Sequence, residues 1–184
     1  MSASDDLPHF SQWVADKIDE WILEQVYGEF MQTDFKAVGE FHEKFGLPVT
    51  TPLRAPEMIT EEAQNFRLKF LAEELCELAD GYGIAMEVTF RKRWNQPRDL
   101  PKIADALVDL VYVALGTAHM HGLPWSKLFS EVQRANMTKM RAKADGSDSL
   151  RSSSLDVVKP VGWRPPAIAK ILADAGWNGP ELPL

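Results

Sequence analysis

Apolar residues recur along this chain at helical spacing. Phe10, Trp13, Val14, Trp21 and Ile22 fall at i, i+3, i+4, i+11 and i+12, and Phe35, Val38, Phe41 and Phe45 repeat the stripe, as one face of an α-helix requires. Long stretches without proline, 9–47, 57–96 and 102–123, are where helices can run, because proline breaks helix interiors. Gly46 and Pro48 stop the helix that carries Phe45. Thr60 caps the next, with Glu61 and Glu62 in its first turn, where carboxylates suit the helix dipole. Asp99 caps another, with Pro101 in its first turn and Gly122 and Pro124 beyond its end. A further helix is predicted from about Trp125 to Met140. Residues 1–140 show no strand alternation, whereas Val157-Val158 suits a short strand and Ile168–Ala175 a short helix. The segment from about 142 to 156 is rich in Ser, Asp and Gly and reads as mobile. The pattern describes one all-α domain over 1–184: a bundle of about five helices with an N-terminal helix at about 9–30, a core at about 33–140 and an extended tail at 157–184.

Composition narrows this picture. The 184 residues carry 20 Lys and Arg against 27 Asp and Glu, a net charge of -7. An acidic surface argues against nucleic acid as a partner, since a phosphate backbone wants basic groups. One cysteine, Cys76, excludes a disulfide framework or a cysteine-rich zinc site and suits a reducing compartment. The acidic start MSASDDLPHF has no apolar core of a secretory signal. No uncharged apolar run reaches the ~20 residues of a membrane span. These features lead us to expect a cytoplasmic protein that engages neither membrane nor nucleic acid.

The carboxylates stand in unusual company. Glu73, Glu77 and Asp80 share a helix face, with Glu74 at its edge, and Phe66 and Phe70 lie on that same face one and two turns earlier. The plain alternative is a solvated acidic stripe opposite Leu68, Leu71, Leu75 and Leu78. On the next helix Asp105, Asp109, Tyr112 and Gly116 share one face, and nine uncharged residues follow Asp109. A helix apolar nearly all round belongs in a core. An isolated buried carboxylate must protonate, pair with a base or bind a metal. If the two helices pack together, their carboxylates converge, and hard divalent cations such as Mg2+ take oxygen ligands and substrate phosphates. The other reading pairs these acids with Lys or Arg. A di-iron site is excluded, because no histidine among His9, His42, His119 and His121 follows a glutamate by three. Leu128, Val132 and Asn136 form one line on the following helix, with Lys139 a turn on, an amide and a point charge suited to phosphate. The basic run Arg91-Lys92-Arg93 with Arg98 reads as a solvated connecting loop.

Glu73-Glu74-x-x-Glu77, the acidic pair with Tyr112 and the run Asn136-Met137-Thr138-Lys139 together resemble the all-α nucleoside triphosphate pyrophosphohydrolases, the superfamily of MazG-like proteins, dimeric dUTPases and phosphoribosyl-ATP pyrophosphohydrolases. The segment 38–48 and Lys159-Pro160-x-Gly162-Trp163-x-Pro165-Pro166 are similar to its MazG-like, phosphoribosyl-ATP-pyrophosphohydrolase-like branch. The resemblance implies hydrolysis of a nucleoside triphosphate, a deoxy- or non-canonical nucleotide, to the monophosphate and pyrophosphate with Mg2+, for which Mn2+ can substitute. It implies metal ligands at Glu74, Glu77, Asp105 and Asp109, catalytic roles for Glu73 and Glu74, and substrate contacts from Asn136, Lys139 and Tyr112. The family's second motif is usually Glu-x-x-Asp, whereas Asp105 and Asp109 stand four apart. The resemblance also implies a homodimer or homotetramer. Phosphoribosyl-ATP hydrolysis, or a non-catalytic nucleotide-binding regulatory role, are the alternatives.

Overall fold

The computed structural model describes residues 33–49, 55–91 and 96–179. The helix expected at about 9–30 lies outside them. The fold is all-α: the described residues form five helices and one two-stranded ladder. In chain order these are α1 (Thr33–Lys44), α2 (Glu61–Gly81), α3 (Leu100–Met120), α4 (Trp125–Asn136), β1 (Met140–Arg141), β2 (Val157–Val158) and α5 (Ile168–Asp174).

The local signals act where the sequence puts them. Thr60 Oγ1 accepts from the amide of Ala63, 3.1 Å away, at the start of α2, and Asp99 Oδ1 accepts from the amide of Lys102, 3.2 Å away, at the start of α3. Gly46 follows α1 at φ +58, the left-handed conformation that glycine adopts at least cost. Helix α4 stops at Asn136 rather than Met140. Thr138 Oγ1 turns back to the Ala135 carbonyl at 2.7 Å, and the chain then enters the ladder.

Two parts of the chain are packed differently. α4 packs between α1 and α5. Trp125 Nε1 donates to Asp34 at 2.9 Å and Gln133 Nε2 to the Ala37 carbonyl at 2.7 Å, which join α4 to α1. Glu131 accepts from the Ala167 amide at 2.9 Å, which fixes the entry to α5. α2 and α3 run in the same direction: Arg98 donates to the Ile59 carbonyl before both starts, and Tyr82 meets His121 Nε2 at 2.7 Å past both ends. The connector between them turns back along α2 and lays Met86, Val88 and Phe90 beside Lys69, Ala72, Glu73 and Cys76.

Here the fold departs from the pattern. α2 and α3 are not a packed pair, and α3 is not buried within the chain. Only Ala118 of α3 is buried, while Leu107 is 49%, Val111 53% and Tyr112 78% exposed. The apolar periodicity of α3 is real, but among the described residues the elements that pack do so around α4, and none of them forms a layer over α3.

A second departure concerns 142–156. Its composition suggests a loose segment, yet it has a fixed set of partners. β1 and β2 pair antiparallel, Met140 opposite Val158 and Arg141 opposite Val157, and close the segment at its base. Within it the Lys143 amide donates to Asp148 at 2.9 Å, and Ser149 Oγ donates to Asp156 at 2.7 Å. Gly146, at φ +67, passes so close to Ser153 that a side chain's first carbon would lie 2.8 Å from its amide nitrogen. Asp156 is 2% exposed, and a buried carboxylate has to be fully hydrogen-bonded.

Candidate active site

The docked segment makes the roof of a cavity of about 480 Å3. One wall is α2, which presents Phe70, Glu73, Glu74 and Glu77. The other is built from the ladder and its loop and presents Lys139, Arg151, Asp156 and Lys159. Helical spacing of 3.6 residues per turn brings Phe70, Glu73, Glu74 and Glu77 to one side of α2, and the ladder register brings Lys139 and Lys159 opposite each other just outside β1 and β2.

Arg151 joins the walls. Its Nε donates to Glu73 Oε2 at 2.8 Å, and its Nη2 also contacts that oxygen. Its Nη1 donates to both oxygens of Asp156 at 3.2 and 3.1 Å, and the guanidinium lies 4.0 Å from the centre of the Phe70 ring. Arginine's planar fork suits such a double carboxylate pairing with a ring contact. Burial opposes its charge, but the hydrogen bonds of Glu73 and Asp156 outweigh this and raise its pKa. Asp156 also accepts from the Val157 amide at 2.8 Å.

The glutamates are unevenly matched. Glu73 is paired with a base, the alternative that the sequence left open for these acids, and among the described residues only its Oε2 is engaged. Burial raises the Glu74 carboxyl above its usual range; Glu77 and, more weakly, Glu73 push the same way against the pull of Arg151 and Lys139. Burial lowers the Lys139 ammonium, Lys159 adds to this, and Glu74 and Asp156 oppose it. Lys139 and Lys159 flank the Trp163 ring, their ammonium groups 5.9 and 4.8 Å from its centre. Trp163 Nε1 donates to the Ala135 carbonyl at 3.0 Å, which anchors the ring to the end of α4.

Glu73, Glu74, Glu77 and Lys139 therefore meet in one place. Asn136 ends α4 near Lys139 but does not line the cavity. Asp105, Asp109 and Tyr112 lie on α3, exposed and away from it. Among the described residues no three Asp, Glu, His or Cys side chains are gathered closely enough to hold a metal ion. The donors that line the cavity still suit a hard cation in kind, because Glu73, Glu74 and Glu77 bring carboxylate oxygens to it. Mg2+ is commonly held by one or two carboxylates plus substrate phosphates and waters.

The sequence did not single out Arg151, Asp156 or the lysine role of Lys159. Arg151 stands 78 residues from Glu73, in a stretch whose composition hid its order. The Lys159-Pro160-x-Gly162-Trp163 run was the available signal.

Residues 38–136 match the phosphoribosyl-ATP pyrophosphohydrolase family, more than half of the chain. The protein belongs to this family of the MazG-like all-α pyrophosphohydrolases, enzymes that hydrolyse acid anhydrides. No curated protein and no solved structure matches it.

Proposed function

We propose that the chain hydrolyses the α–β phosphoanhydride of a nucleoside triphosphate, a deoxy- or non-canonical nucleotide, to release the monophosphate and pyrophosphate. The observation that carries this reading is the acidic wall of Glu73, Glu74 and Glu77 facing the basic wall of Lys139, Arg151 and Lys159 across one cavity. A triphosphate cannot approach three glutamates unaided, and a cation between them removes the repulsion. Glu74 and Glu77 are the side chains that would hold Mg2+, which when bound polarises the α-phosphate and makes a water a better nucleophile. Arg151 fixes Glu73 through Oε2, and Glu73 Oε1 is left to take the proton of the attacking water. The water oxygen bonds to the α-phosphorus as the bridging oxygen departs with pyrophosphate. Lys139 neutralises phosphate charge from the facing wall.

The family match supports a second substrate, phosphoribosyl-ATP, in which the same bond is cleaved. Incubation with each dNTP, NTP and phosphoribosyl-ATP in MgCl2 tests both. Pyrophosphate release that Glu74→Gln abolishes is the expected result, and release of orthophosphate alone contradicts the cleavage position.

The reading includes assembly with a second copy. Leu68, Leu71, Leu75 and Leu78 of α2 and Leu107, Leu110 and Val111 of α3 are exposed, and apolar helix faces left exposed in this way suit an interface. α3 is long and apolar enough by length and composition to cross a membrane. Asp109 falls at its middle, however, where it would cost ~2.5–3.5 kcal/mol in lipid, and Asp105 lies little more than a turn before it. A protein partner can supply waters and cations for them, and in such an assembly they remain the candidates to complete the metal set.

A further inference from the structure

We propose that Lys159 and Lys139, held side by side across the Trp163 ring, form the seat of the leaving pyrophosphate, an inference that rests on the reading above and assigns a role to Lys159.

The ladder register sets the two lysines opposite each other. Like charges directly opposite across a ladder repel, and a fold that keeps them there gains when an anion joins them. Among the described residues neither ammonium makes an ion pair, while Arg151, the third cation of the wall, is spent on Glu73 and Asp156. The Trp163 ring offers its face to both cations, which attracts them electrostatically. That is enough to orient them without consuming their N–H donors. Trp163 is itself fixed by the Ala135 carbonyl, so the pair is preset rather than gathered by the ligand.

The chemistry selects the pyrophosphate end of the substrate. Two adjacent phosphates carry more charge than one and present oxygens to two separated point charges. As the α–β bond breaks, negative charge grows on the departing bridging oxygen, and donors placed there stabilise the transition state more than the ground state. The glutamate wall repels any phosphate not shielded by a cation, which leaves the lysine wall as the contact for the unshielded oxygens.

Calorimetric titration of the full chain with inorganic pyrophosphate in MgCl2 tests the seat. Lys159→Gln is expected to weaken pyrophosphate by about tenfold, Lys159→Arg to retain most of the affinity, and Lys170→Gln, the same charge change on α5, to leave it unaltered. Affinity in Lys159→Gln within twofold of the wild type overturns the proposal. So does an equal loss in Lys170→Gln, which would make the effect one of net charge, and so does a wild-type chain that binds no pyrophosphate. Failure of the wild type to turn over any nucleotide overturns the hydrolase reading instead. Unchanged binding in Lys159→Gln beside intact wild-type turnover sinks the seat alone.

Discussion

On one side of the molecule, α1, α4, α5 and the ladder meet through side-chain bonds that cross between elements: Trp125 to Asp34, Gln133 to Ala37, Trp163 to Ala135 and Glu131 to Ala167. On the other, α2 and α3 are each 21 residues long, touch through their ends, and leave leucines and valines in solvent. The first region is completed by its own chain. The second has well-formed helices whose apolar faces the described residues leave largely exposed. Local helix signals and caps thus mark where an element runs, whereas its stability comes mostly from packing its apolar face. The candidate active site sits at the seam, with its acids on α2 and its cations on the completed side.

The seam is where the comparison breaks most sharply. Glu73→Gln removes the carboxylate that Arg151 orients and is expected to lower kcat by 100-fold or more, in line with the roughly 10²–10⁴ contributed by a positioned base; steady-state pyrophosphate release reads it. A loss below threefold would mean that the docked loop and α2 do not cooperate in the reaction. On the uncovered side, Val111→Asp places a charge in the exposed apolar face. If a second copy covers that face, light scattering after size exclusion will show the mass fall to that of one chain; an unchanged mass would place the interface elsewhere. On the completed side, Asp156→Ala strips Arg151 and Ser149 of their buried acceptor and should destabilise by about 3 kcal/mol, the scale of a broken buried pair, measured by urea unfolding.

Smaller effects sharpen the same contrast. Asp99→Ala removes the cap of α3 and is expected to cost ~1 kcal/mol. If α3 is held only by assembly, that cost will appear as a concentration-dependent Tm rather than a fixed one. Glu131 tests the joint of α4 and α5. Arg134 above all, then the Ala167 amide, hold its carboxyl down at about 2. A depressed carboxylate gives stability that is present above its unfolded value of ~4.3 and is lost as pH falls toward 2. Glu131→Gln should therefore lower Tm slightly at neutral pH and show no difference from the wild type near pH 2.

Much of this architecture could be read from residue order. Thr60, Asp99 and Gly46 act as end signals because capping is local, decided within three or four residues. The spacing of Glu73, Glu74 and Glu77 likewise placed them together, since a helix fixes it. The end of α4 was misplaced by four residues because Thr138 and Trp163 claim the Ala135 carbonyl, and the second of these comes from 28 residues away. Arg151 was invisible for the same kind of reason. Ser, Asp and Gly are what a disordered stretch uses, but they are also what tight turns use, and it is the ladder and the buried Asp156 and Ser149 that distinguish the two. The exposure of α3 was hidden because periodicity reports which face is apolar and not which molecule covers it.

The two-residue ladder has an evolutionary corollary. Because Met140–Arg141 and Val157–Val158 clasp the roof segment at its base, insertions or deletions between them can reshape the ceiling while the glutamates of α2 keep their spacing. A lineage could reshape that ceiling by drift in this one stretch as long as Arg151 and Asp156, which tie it to Glu73, are kept.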